Sequence, residues 1–182
     1  MEGIWRTRVG YTGGTKVNPT YHALGNHTEA LQVDFDPQQI SFEDVINLVW
    51  KSHNPISAPR RSQYKSAIWF ADDLQLQIIE STMKPLEERL GQKLTTEVLP
   101  LEAFYNAEDY HQKYSLQHHD SVMKLFRQVY PQFGDFNDST AAARLNGFSA
   151  GYGQKSLFET EKGLYGFDME MLERVVLSLI HI

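Results

Sequence analysis

The chain has 182 residues, enough for one domain with a sizeable core, and its 41% hydrophobic and 22% charged content lies in the ordinary globular range. A formal charge of −6 excludes a broad basic surface for nucleic acid or anionic lipid, and no apolar run reaches the roughly 20 residues that span a bilayer. There is no cysteine, which excludes disulfides, thiolate metal sites and any thiol chemistry carried out by these residues alone.

The first residues, Met1-Glu2-Gly3-Ile4-Trp5-Arg6, lack the basic-then-apolar plan of a secretory signal, so the default compartment is cytoplasmic. Residues 6–11 read as a strand ended by Thr12-Gly13-Gly14-Thr15. Asn18-Pro19-Thr20 signals a turn, with Pro19 biasing Asn18 to an extended form. From Glu29 to Phe35 the pattern alternates, with Leu31, Val33 and Phe35 on one face and Gln32 and Asp34 on the other, which predicts a half-buried strand.

Ser41 and Asp44 form a helix-start signature, and Phe42, Val45, Ile46 and Val49 recur at helical spacing, so 42–52 is expected to be a helix. A strand is expected at 65–70. Residues 72–90 carry a steady apolar stripe through Leu76, Ile79, Met83, Leu86 and Leu90, closed by Gly91 as a C-terminal cap. Pro85 lies inside that stripe and is expected to kink or split the helix. A strand at 94–99, helix over 108–129, a polar stretch from Gly134 to Ser139 and a last helix at 168–180 complete the pattern. The alternation of strands and helices predicts a two-layer α/β domain over 1–130 with a C-terminal extension over 131–182.

Candidate chemistry is sparse. His27-x-Glu29, Asp109-x-His111 and His118-His119 lack the i, i+4 spacing of a helical metal-binding pair. Gly147-x-x-x-Gly151-x-Gly153 has the wrong spacing for a dinucleotide fingerprint, and Gly10 to Lys16 lacks the Gly-Lys-Ser/Thr of a phosphate loop. Glu29 at a strand start reads either as a solvated strand-end acid or as a functional one. Tyr21 and Tyr64 read either as boundary tyrosines or as pocket phenols, and His27 as a hydrogen-bonded structural histidine.

Several blocks in order narrow this choice. They are Arg8-Val9-Gly10-Tyr11-Thr12-Gly13-Gly14 with Asn18-Pro19-Thr20-Tyr21, then His27-Thr28-Glu29 leading to Asp36-Pro37 and Ile40-Ser41. Gln63-Tyr64-Lys65-Ser66-Ala67-Ile68 and Phe104-Tyr105-Asn106-Ala107-Glu108-Asp109-Tyr110-His111-Gln112 follow. Together, over residues 3 to about 116, they resemble the class A peptide methionine sulfoxide reductases.

The resemblance implies a ferredoxin-like mixed sheet with flanking helices (α/β, or α+β) and a C-terminal helical tail. It implies an oxidoreductase of oxidative repair that reduces the S epimer of methionine sulfoxide, in proteins or free. In that family a cysteine thiolate attacks the sulfoxide sulfur, and thioredoxin or another thiol restores it, with no bound cofactor. Residue by residue, Glu29 matches the acid, Tyr21 and Tyr64 match two phenols that hold the sulfoxide oxygen, and His27 matches a neighbouring substrate-site position. The family's Gly-Cys-Phe-Trp-Gly motif has no counterpart here, and would lie before the strand at 6–11. The loop before Tyr64 carries none of the family's acid. The expectation is therefore a monomeric member of the family, a fragment or isoform inactive as written, whose full-length form works in the cytoplasm or the mitochondrion. The alternative is a non-catalytic module that binds methionine sulfoxide or a protein partner.

Overall fold

The computed structural model describes residues 2–58, 61–168, 170 and 172. Among them are five strands and seven helices in a mixed α/β arrangement, as the sequence pattern predicts. A three-stranded sheet has the order β2-β1-β5, built from Thr28–Phe35, Ile4–Thr12 and Phe104–Asn106. β1 and β5 run antiparallel, with Tyr11 opposite Tyr105. A two-stranded parallel ladder joins β3 (Ala67–Phe70) to β4 (Glu97–Pro100). The chain separates into two compact units: one takes residues 1–3, 9–31 and 35–107, the other 4–8, 32–34 and 108–182.

In the first unit, α1 (Phe42–Ser52) begins where the sequence indicates. Ser41 Oγ accepts from the Asp44 amide at 3.1 Å while the Asp44 carboxylate accepts from the Ser41 amide, a reciprocal capping box. Ser41→Ala should destabilise this unit by about 1 kcal/mol, read as a lower urea midpoint at unchanged slope. α2 (Asp73–Leu90) starts on the Asp72 cap and stops at Gly91, whose φ of 68° is a left-handed conformation that costs glycine little. α1 and α2 bury Ile46, Trp50, Ile79 and Leu86 together with Ile68 of β3. Pro85 does not split α2. Ser81 and Pro85 both lie on its exposed face, so the hydrogen bond that Pro85 cannot donate is missing on the side open to solvent.

Two further expectations need correction. Asn18 is not extended: its φ is 50°, and Asn is among the few residues that adopt the left-handed form at modest cost. Leu31 is 61% exposed, although the alternation assigns it to the covered face. Both faces of β2 are engaged further along: Asp34 pairs with Arg6 and Arg8 of β1, and Phe35 stacks on Phe42.

The second unit shows the largest departures. The expected helix at 108–129 is broken into a 3₁₀ turn at Asp109–His111, α3 (Tyr114–Gln117) and α4 (Asp120–Val129). The break falls at Lys113, in left-handed backbone with φ 47° and almost fully buried. Its ammonium donates to the Thr7 carbonyl of β1 and to Asn137 Oδ1 at 3.0 Å. A continuous helix would move that amine away from both acceptors. The stretch expected to be polar, Gly134 to Ser139, overlaps α5 (Phe133–Asp138), followed by α6 (Thr140–Ser149) and α7 (Lys155–Glu161). α5 is anchored through its C-terminal half: Phe136 is buried in the aromatic core, and Asp138 receives a two-pronged bond from Arg8, at 2.7 Å to each oxygen. This core joins Leu116, Val122, Met123, Phe126, Ala142, Leu145 and Phe158. The helix expected at 168–180 falls almost wholly outside the described residues.

Candidate active site

The four residues singled out from sequence all lie in the first unit, on three segments. Tyr21 sits at the tip of a tight turn in which Ala23 N–H donates to the Thr20 carbonyl at 3.0 Å. The left-handed Asn18 and the fixed φ of Pro19 lead the chain into that turn. Tyr21 is 38% exposed, and its ring meets His22 edge-on at 5.4 Å.

His27 is fully buried and engages backbone on both sides of its ring. The Gly14 amide donates to Nδ1 at 3.2 Å, and Nε2 lies 2.8 Å from the Lys16 carbonyl, a pattern that the Nε2–H tautomer satisfies. The Tyr105 ring stands edge-on to it at 5.6 Å. A Cβ on Gly14 would fall 2.6 Å from the imidazole, so a side chain there would displace the ring. His27 thus pins the 14–16 loop to the start of β2, with neither nitrogen left over for a ligand.

Glu29, two residues on, is exposed at the start of β2. Its Oε1 accepts from Gln63 Nε2 at 2.7 Å. Next to it Thr28, buried, donates from Oγ1 to the Ser62 carbonyl at 2.7 Å. Ser62, Gln63 and Tyr64 form a single 3₁₀ turn whose Tyr64 amide donates to the Arg61 carbonyl at 2.9 Å. This turn brings the Tyr64 phenol close to Tyr21 and within the field of Glu29. Loss of surrounding water, then the Glu29 carboxylate, then Tyr21 push the Tyr64 phenol above the ordinary tyrosine value.

The structure therefore brings Tyr21, Glu29 and Tyr64 near one another, and holds His27, two residues before Glu29, between the 14–16 loop and Tyr105. A phenol held protonated donates a hydrogen bond to an oxygen acceptor, and a carboxylic acid beside it can supply a proton. The 182 residues hold no cysteine, so no nucleophilic sulfur comes from them. Among the described residues no three His, Asp or Glu side chains converge as metal ligands. The second unit has an open hollow of about 720 Å³ lined by Arg6, Tyr130, Asp135, Asp138, Ser139 and Thr140 among others, and it contains none of the cluster residues. Sequence reasoning assigned no role to Gln63 or Thr28. Their partners lie 34 residues away, and no local pattern reports a contact of that span.

Comparison with known proteins places the cluster in context. The profile of peptide methionine sulfoxide reductase matches residues 1–141. The chain belongs to this family. The peptide methionine sulfoxide reductase of Drosophila melanogaster is 39% identical over 166 residues, covering 90% of this chain and 66% of the fly protein. That of Brassica napus is 36% identical over 123 residues, covering 63% of this chain and 48% of the plant protein. The chain thus spans about half to two thirds of the length of these curated relatives. Among solved structures, methionine sulfoxide reductase A of Corynebacterium diphtheriae superposes with a TM-score of 0.54 at 32% identity, covering 65% of each chain. The mixed α/β fold is that of peptide methionine sulfoxide reductases. Among the described residues, no helix is long and apolar enough to cross a membrane.

Proposed function

We propose that residues 1–182 supply the sulfoxide-binding and proton-delivering part of methionine S-sulfoxide reduction, and that the reducing thiol comes from outside them. One observation carries this reading: Glu29 accepts a hydrogen bond from Gln63 on the turn that carries Tyr64, which brings Glu29, Tyr64 and Tyr21, from separate segments, close enough to act on one another.

The chemistry requires that combination. A sulfoxide oxygen is a strong acceptor, and it leaves sulfur readily only once protonated. Tyr21 and Tyr64 donate hydrogen bonds to it, and Glu29 in its acid form delivers the proton. A thiol then takes the oxygen, so that sulfoxide and thiol become thioether and sulfenic acid. Two further thiol equivalents return the sulfenic acid to thiol, releasing water and leaving a disulfide. Tyr, Glu and His cannot act as two-electron reductants of a sulfoxide under cellular conditions, so these residues alone perform the first part and not the second. The substrate is the S epimer in proteins or as the free amino acid, bound by a monomer. The reductant is thioredoxin or a comparable dithiol. A cytoplasmic setting, where thiols stay reduced, suits the scheme.

The test is binding. N-acetylmethionine S-sulfoxide should perturb the NMR signals of Tyr21, Glu29 and Tyr64, while the R epimer and the thioether should not. Tyr21→Phe and Tyr64→Phe should each weaken binding about 5-fold, as expected for one neutral hydrogen bond. Equal response to both epimers, or none to either, would sink the assignment.

A further inference from the structure

The start of β2 meets the Ser62–Tyr64 turn through two contacts at consecutive residues. Thr28 to Ser62 is a buried tie to backbone, which fixes the turn against the strand. It does nothing for the Glu29 side chain, which is exposed and free to rotate into water. The second contact acts on that side chain directly: the Gln63 amide grips Oε1 at 2.7 Å.

We propose that Gln63 is the positioning residue of the cluster, holding the Glu29 carboxyl against Tyr64 and reserving its second oxygen for the proton. This rests on the role assigned above to Glu29. An amide donor on Oε1 makes that oxygen the poorer base, so the proton of the acid form resides on Oε2. The neutrality of the donor matters. A Lys or Arg in its place would also restrain the carboxyl, but its positive charge would keep the group ionised and oppose proton delivery. Gln63 restrains without that penalty. Its place next to Tyr64 on one short turn also means that a single rigid element sets both the acid and a phenol.

The experiment follows Tyr64 by ring-carbon NMR through its titration in the full 182-residue chain, in four principal forms and one control variant. The four are the native sequence, Glu29→Gln, Gln63→Met (near-isosteric, without the donor) and the double variant. The Tyr64 midpoint should fall in Glu29→Gln, because the neighbouring negative charge is gone. It should fall comparably in Gln63→Met, because the released carboxylate swings into solvent, and the double variant should show no further change. Gln63→Asn, which keeps the amide but is one methylene too short, should behave as Gln63→Met does. A merely structural role would not move this titration while leaving the amide spectrum elsewhere unchanged. A Tyr64 midpoint unaffected by Gln63→Met would overturn the proposal, whether or not Glu29→Gln shifts it. A second arm uses N-acetylmethionine S-sulfoxide: Gln63→Met should weaken its binding about 5-fold in the native background and not at all in Glu29→Gln. Failure of the native chain to bind this probe would defeat the sulfoxide-binding reading, while the Tyr64 titration would still decide whether Gln63 holds the carboxyl.

Discussion

Phe126→Ala is expected to cost the helical unit about 3–5 kcal/mol, the range for deleting a fully buried aromatic ring. Phe126 has no exposed surface and stands at the centre of an aromatic set. Phe136 of α5 meets it edge-on at 5.1 Å, Phe167 edge-on at 4.8 Å, and Tyr130 stacks at 5.9 Å. Edge-on pairs add to burial because the positive rim of one ring faces the negative face of the other. Removing the central ring leaves three neighbours facing a cavity too apolar to hold water. A domain's total stability is only about 5–15 kcal/mol, so this one change should remove roughly a fifth or more. Urea unfolding monitored by circular dichroism should show the loss. A change below about 1 kcal/mol would mean that the rings do not form one packed core.

The second large effect is a dependence on pH centred on Lys113. Burial lowers its ammonium from 10.5 to about 8; Asp138 opposes this and Arg8 adds to it. Below about pH 8 the amine is charged in folded and unfolded chains alike, and the folded state bears the full cost of burying it. Between about 8 and 10.5 the unfolded chain holds the proton and the folded one does not, so stability rises with pH across that window. The full gain is about 3 kcal/mol, since each pH unit separating the folded and unfolded midpoints is worth about 1.36 kcal/mol. Neither hydrogen bond is lost on the way, because a neutral amine still donates to Thr7 and Asn137. Denaturation midpoints measured from about pH 7.5 to 10 should climb more steeply for the native chain than for Lys113→Met. Parallel profiles would contradict the burial argument.

Lys113 also shows where sequence reading ends. α1 and α2 are legible because their signals are local: Ser41 with Asp44, Asp72, the apolar stripe, and Gly91 in the left-handed form. The break at Lys113 is not, since it serves acceptors on Thr7 and Asn137 that are distant in sequence. Nothing in Glu108–Val129 alone argues against a single helix. α5 is hidden for a similar reason. Its sequence is polar and short, and it is held by Phe136 in the core and by Arg8 on Asp138, 130 residues earlier. β5, at three residues, is too short for an alternation to register, and exists because β1 offers it a partner.

The candidate site divides along the same line. Tyr21, His27, Glu29 and Tyr64 were indicated by resemblance, each inside a quoted block. Their residue types alone left every one of them with a structural reading as well. The structure separates them: His27 is consumed by the backbone, whereas Tyr64 lies within the influence of Glu29 and Tyr21. Gln63 was in plain view inside the same block, but its purpose depends on a partner across the fold.

The central claim is that the oxygen-handling groups are present in residues 1–182 and the electron source is not. Its most direct test incubates the purified chain with N-acetylmethionine S-sulfoxide, thioredoxin, thioredoxin reductase and NADPH, and follows both NADPH and the thioether. The account predicts retained sulfoxide binding with neither NADPH consumption nor thioether above the protein-free control. Steady thioether production that scales with this chain and disappears in Glu29→Gln would contradict it.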